Sequence, residues 1–309
     1  MKPHLCDSVF RYYQASQCKP DHFQSGLVVQ PSSVLFVYSV IFCAFMPLLC
    51  KLYVYTQSYL IFLLNSERER DLQLVRDYKP HKDVEHLRIL LHGPPAAGKS
   101  SFINSVDSTL RGKTTARALA ANAPKSFTIA YRTYKIQKGN PDTFYPFVFN
   151  DTMGLQSNDQ GIHLEDIKLA ISGHVKEDYR FNPKCPLAET DPNYRGSSTF
   201  DDKVHILVFV ICANTVSLID DATWRKMNDI RAAARDKGIP QIAIMTKIDE
   251  ACPEVKKNIK NTYKSKHMND QMETVNVNLG LPLNCIFLVK NYHKEIETDD
   301  GVDSLILKS

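Results

Sequence analysis

The chain has 309 residues, of which 43% are hydrophobic and 23% charged, with a formal net charge of +4. Those proportions exclude a disordered or fibrous chain and leave room for one large domain or two small ones. The charge is too small and too evenly spread to support nucleic-acid binding.

Residues 1–64 carry only six charges, Lys2, Asp7, Arg11, Lys19, Asp21 and Lys51. After a short segment, 1–33, the stretch 34–64 is hydrophobic and holds a single charge, Lys51. A membrane-spanning helix needs about 20 apolar residues, and 34–55 meets that length if Lys51 snorkels to the headgroups. Pro47 is tolerated in such a helix. The run starts too late and is too long for a cleaved signal peptide. Basic residues cluster after it (Lys51, Arg68, Arg70, Arg76), so the expected orientation leaves the rest of the chain in the cytoplasm. The same segment also suits a buried helix pair. The eight cysteines include no Cys-x-x-Cys pair and no zinc spacing, which suits a reducing compartment.

Residues 65–84 read as a linker helix, charged throughout and stopped at Lys79-Pro80. The domain proper is expected over 85–309. Its first strand carries Ile89-Leu90-Leu91, an apolar run of the kind buried in parallel sheets. Gly93-Pro94-Pro95-Ala96-Ala97-Gly98-Lys99-Ser100 follows at once, and this is the pattern G-x-x-x-x-G-K-S. Two glycines allow successive N–H groups to turn inward on an anion, and a helix starting near Lys99 adds its positive end. Lys99 is placed to meet the β- and γ-phosphates, Ser100 to ligate Mg²⁺, and Ser101 to add a helix amide.

Residues 143–150 read as a strand ending in Asp151-Thr152-Met153-Gly154. A carboxylate there can hold a metal-bound water, and Gly154 can offer its N–H to the γ-phosphate. The second metal ligand is open among Thr114, Thr115, Ser126 and Thr128, with Thr128 preferred at the start of a strand. Leu155 stands where some GTPases carry a catalytic glutamine, and Gln156 is one place late, so efficient intrinsic hydrolysis is not expected; no catalytic residue is assigned. The segment 157–203 is an insertion suited to a protein partner. A strand at 205–213, a helix near 219–237 and a strand at 241–245 lead to Thr246-Lys247-Ile248-Asp249, a variant of N-K-x-D with Thr for Asn. Its aspartate would accept from guanine N1–H and N2–H₂, which adenine lacks. A last strand, 285–289, precedes Lys290-Asn291-Tyr292, a loop able to close over a base.

The fragments HLRILLHGPPAAGKSSFINSVDS, SFTIAYRTYKI, PFVFNDTMGL, GHVKEDYRFNP and AIMTKIDEACPEV, in this order, closely resemble the interferon-induced protein 44 and 44-like family over about 85–305. The resemblance implies a GTPase-like P-loop domain acting in antiviral innate immunity. By motif match it assigns Gly93, Gly98, Lys99 and Ser100 to phosphate and Mg²⁺, Asp151 and Gly154 to the second switch, and Thr246, Lys247 and Asp249 to the base. Pro95-Ala96 depart from the Val-Gly-like pair expected, and Ala96 is less free than glycine to take an unusual φ. The chain ends at Leu305-Ile306-Leu307-Lys308-Ser309, where the family is expected to continue into a helix over the sheet, which implies a shortened product.

The expected fold is α/β, a three-layer, mainly parallel sheet with helices on both faces, preceded by a hydrophobic helix. The expected function is binding of GTP or GDP with Mg²⁺, with weak hydrolysis. Two rivals stand beside it, a nucleotide-degenerate scaffold acting through protein contacts and an ATP-using P-loop enzyme.

Overall fold

The computed structural model describes residues 67–116, 118, 130–140, 142–156 and 161–309. The hydrophobic stretch 34–64 and Thr128 lie outside them. Among the described residues no helix is long and apolar enough to cross a membrane.

Among the described residues six strands form one sheet. They are β1 (Leu87–His92), β2 (Arg132–Gln137), β3 (Phe144–Asp151), β4 (Ile206–Cys212), β5 (Gln241–Thr246) and β6 (Ile286–Leu288), ordered β2-β3-β1-β4-β5-β6. Only β2 runs antiparallel, paired with β3. The sequence predicts a mainly parallel sheet, and that is what forms. β1 lies between β3 and β4, so the chain leaves it to opposite sides. That crevice, outside the carboxyl ends of the strands, is where open α/β sheets bind ligands.

Both faces of the sheet are buried because its strands are apolar at successive positions. In β4, Leu207, Phe209 and Ile211 enter one core, while Val208 and Val210 enter the other. The first core closes under α3 (Leu164–Ile171), α4 (Asp221–Asp236) and α7 (Lys266–Leu279), through side chains such as Ile167, Met227 and Val275. The second closes under α1 (67–77), α2 (Lys99–Arg111) and α8 (Asp300–Lys308), through Leu72, Phe102, Ile103 and Val302. Burial of such faces at about 25 cal/mol per Å² is the main drive for this layering.

Two terminal elements pack onto this second core. The helix expected as a linker lays Leu72 into the core and reaches α8 through Arg68, whose Nη2 lies 2.8 Å from Asp303. The last residues form α8, capped by the Asp299 carboxylate on the Val302 N–H. Beside it an apolar hollow of about 340 Å³ remains over the sheet, walled by Ile206, Val208, Ile242 and Ile244.

The insertion is mostly irregular but tightly pinned. Asp166, fully buried on α3, accepts the Leu187 N–H at 2.7 Å. His174 stacks on Tyr194 with ring centroids 5.2 Å apart, and Arg195 pairs with Asp202 at 3.0 Å.

Candidate functional site

The site begins where β1 ends. Gly93 at φ 151° brings the chain against β4, since a Cβ added there would lie 2.1 Å from the Val210 carbonyl oxygen. The loop then turns through Ala96 at φ 55° and Gly98 at φ 94°. Gly98 is the N-cap of α2, and no side chain caps that helix end or places an acid in its first turn. The positive end of the helix dipole therefore faces the crevice with no acidic side chain of the first turn set against it. The turn needs a left-handed residue at Ala96, where glycine would be unstrained.

That strain has a measurable consequence. An L-residue in the left-handed region costs about 1–2 kcal/mol, and glycine returns about 0.4–1 kcal/mol of it as unfolded-state entropy. Ala96→Gly should therefore leave stability equal or raise it by up to about 1 kcal/mol, a Tm gain of about 2–4 °C. Calorimetric unfolding checks this, and a clear loss of stability would mean the loop is not strained at Ala96.

Lys99 is buried, and its Nζ donates to the carbonyls of Gly93 and Pro94, each at 3.1 Å. An ammonium has three donors, so these two bonds fold the side chain back over the loop and leave one for a ligand. Burial pushes the Lys99 pKa below its usual value, with the Asp151 carboxylate opposing that shift. His92, fully buried just before the loop, has neither ring nitrogen hydrogen-bonded. Burial, with the nearby Lys99 charge, lowers its pKa to about 3, so it is neutral and packs edge-on against Phe209.

Asp151 closes β3 directly opposite, because its Cα partner in β1 is Leu91. The Ser100 hydroxyl donates to the Asp151 carboxylate at 2.5 Å. This is a pair of hard oxygen donors on adjacent elements, the set a Mg²⁺ ion prefers, with room left in its coordination for water and phosphate oxygens. The following residues fold back onto the loop. Leu155 donates its N–H to the Gly93 carbonyl at 3.1 Å, and a Cβ at Gly154 would meet Pro95 Cα at 2.8 Å. Leu155 itself is buried, and its aliphatic side chain offers no polar group to a water.

The expected base motif, Thr246, Lys247 and Asp249, follows the end of β5. Thr246 is fully buried, and its hydroxyl donates to the Ala97 carbonyl at 2.5 Å. It ties the end of β5 to the phosphate loop. Lys247 takes a left-handed φ of 56°, and Asp249, partly exposed, lies on the short α5 (Ile248–Ala251), which α6 (Pro253–Lys257) follows. A non-glycine residue held in that region marks a place where the surroundings over-determine the backbone. From the other side Asn291, after β6, donates through Nδ2 to the Gly98 carbonyl at 3.2 Å. That contact was not foreseeable, because no motif marks it.

With Gly93, Pro94, Pro95, Ala96, Ala97, Gly98, Lys99, Ser100 and Ser101 on one continuous loop and helix start, and Asp151 beside them, the site is a P-loop. The human interferon-induced protein 44-like is 31% identical over 251 residues, 81% of this chain and 56% of its own length. The mouse interferon-induced protein 44 is 33% identical over 239 residues, 77% and 56% respectively. The chain is a homologue of the interferon-induced protein 44 and 44-like proteins. It spans about half the length of these curated relatives. No family model matches it. Among solved structures, Arabidopsis thaliana Toc33 in complex with GDP and Mg²⁺ aligns with 80% of this chain and 90% of its own, at 13% identity and a TM-score of 0.43.

Proposed function

We propose that this P-loop homologue of the interferon-induced protein 44 group binds GTP and GDP with Mg²⁺ and serves the interferon-induced antiviral response. The observation that carries the reading is the paired geometry of Lys99, folded over the loop carbonyls, and Ser100, facing Asp151 across the sheet crevice. The loop amides and Lys99 would cradle the phosphates, Ser100 and Asp151 would hold Mg²⁺, and Gly154 would meet the γ-phosphate. The ion would supply neutralisation of phosphate charge. Lys247 would pack along the base while Asp249 accepts from its edge.

Hydrolysis is proposed to be weak, because Leu155 is buried where a polar side chain would orient water. Tethering to a membrane through 34–64, a cytoplasmic location of the P-loop domain and a protein partner at 157–203 complete the proposal. A specific feature favours the rival scaffold reading: Pro94 and Pro95 remove two backbone N–H groups from the phosphate loop.

Calorimetric titration with GDP, GTPγS and ATP in the presence of Mg²⁺ tests the reading. Guanine nucleotides should bind and ATP should not; no heat from any of them would favour the scaffold. Asp249→Asn should exchange the preference from guanine toward xanthine, whose C2 carbonyl needs a donor. One good polar contact of this type carries about 1.5–3 kcal/mol, so the preference should change by roughly 10–100-fold. An unaltered preference would remove Asp249 from the base site.

A further inference from the structure

We propose that Asn291 is a positioning residue of the phosphate loop, holding the Gly98–Lys99 peptide so that its N–H faces the anion. The proposal rests on the nucleotide-binding reading and adds a residue that lies outside its motifs. Two consecutive loop carbonyls are held from two different strand ends. Thr246, closing β5, takes the Ala97 carbonyl at 2.5 Å, and Asn291, after β6, takes the Gly98 carbonyl at 3.2 Å. In a planar trans peptide the C=O and the following N–H point opposite ways. Fixing the Ala97 and Gly98 carbonyls away from the crevice therefore turns the Gly98 and Lys99 amides into it.

Gly98 needs this restraint more than other loop residues. At φ 94° it occupies a region glycine shares with many alternatives, and no capping side chain of α2 limits it. A Cβ there would meet Asn291 Nδ2 at 2.9 Å and Thr246 Oγ1 at 3.2 Å, so the two side chains close on it from both sides. The Phe102 N–H also reaches the Gly98 carbonyl, at 2.8 Å, which fixes the helix register; Asn291 adds a bond from outside the helix.

The orientation of the amide supports the assignment. Only Nδ2 can approach a carbonyl, and with Nδ2 on Gly98 the Asn291 Oδ1 is buried with no hydrogen-bond partner. That is a cost an apolar residue of the same shape would not carry. Asn291 is itself held in place. The next residue, Tyr292, donates its N–H to Ser105 Oγ on α2 at 2.9 Å, and Val289 donates to the Met245 carbonyl of β5 at 2.8 Å. The segment after β6 is thus clamped between the sheet and the helix that follows the phosphate loop.

The test measures the full chain against two probes, GDP with Mg²⁺ and inorganic tripolyphosphate with Mg²⁺. Asn291→Leu keeps the shape and removes the donor without adding charge. It should weaken both probes by the same factor, about three- to tenfold for one neutral hydrogen bond, and leave the GDP-over-ADP preference unchanged. A merely structural role would lower the melting temperature without that matched loss, so thermal unfolding is recorded beside it. Asn291→Ala serves if the leucine variant does not fold. Loss of GDP affinity with unchanged tripolyphosphate binding would make Asn291 a base reader and overturn the proposal, as would unchanged affinity for both. A wild-type chain that binds neither probe would fell the nucleotide reading itself, and this proposal with it.

Discussion

Lys99→Ala should abolish measurable guanine-nucleotide binding by calorimetry. The fold places its Nζ inside the loop, held by the Gly93 and Pro94 carbonyls and buried with Asp151 nearby. Two losses add in the variant. The charge-assisted bond from its remaining donor to the phosphates disappears, worth about 1.5–3 kcal/mol. The two carbonyls also lose their donor. Together these exceed about 3 kcal/mol, a factor of more than 100 in affinity. The burial that lowers the Lys99 pKa sharpens the expectation, since a dianionic phosphate is the natural partner for a desolvated ammonium. If the folded variant binds GDP as the wild type does, the loop is not the phosphate site.

The parts of this site that could be read in the sequence are those made by neighbours in the chain. Strand β1, the phosphate loop and α2 form one unbroken stretch, where an apolar run, two glycines and a helical pattern each carry their own local signal. Asp151 was accessible for the same reason, as a carboxylate ending an apolar strand. The remainder depends on contacts between distant segments. Thr246 looks like a base residue because it stands in a base motif; only the approach of β5 to the loop shows its hydroxyl spent on Ala97. Asn291 carries no motif, and its meaning comes from a carbonyl 193 positions away. The antiparallel placement of β2 was equally hidden, since an edge strand with RTYKIQ has mixed polarity and no fixed direction. The φ of Ala96 is a case where composition raised the right question and the fold answered it, by forcing a left-handed alanine.

The final helix shows how much of the fold's strength lies in such distant contacts. Asp303 is fully buried on α8, and three side chains converge on its carboxylate. Arg68 of α1 reaches Oδ2 through Nη2 at 2.8 Å and Nε at 3.3 Å. Thr109 of α2 and the Tyr292 hydroxyl reach Oδ1 at 2.7 and 2.8 Å. The Tyr292 hydroxyl also accepts the Asp299 N–H at 2.8 Å, and burial with the two carboxylates pushes its pKa up. Asp303 thus joins α1, α2, α8 and the segment after β6 at one point. Removing one partner of a buried pair strands the others without solvent, at about 3–5 kcal/mol. Arg68 keeps some contact with water, so Asp303→Ala should cost about 3 kcal/mol by urea unfolding, or about 6–12 °C in Tm for a domain of this size. Arg68→Met in the same background should cost little more, because its buried partner is already gone and the two losses do not add. A loss below about 1 kcal/mol for Asp303→Ala would show that α8 is not anchored through this carboxylate, and that the apolar contacts of Val302 and Ile306 alone hold the helix to the sheet.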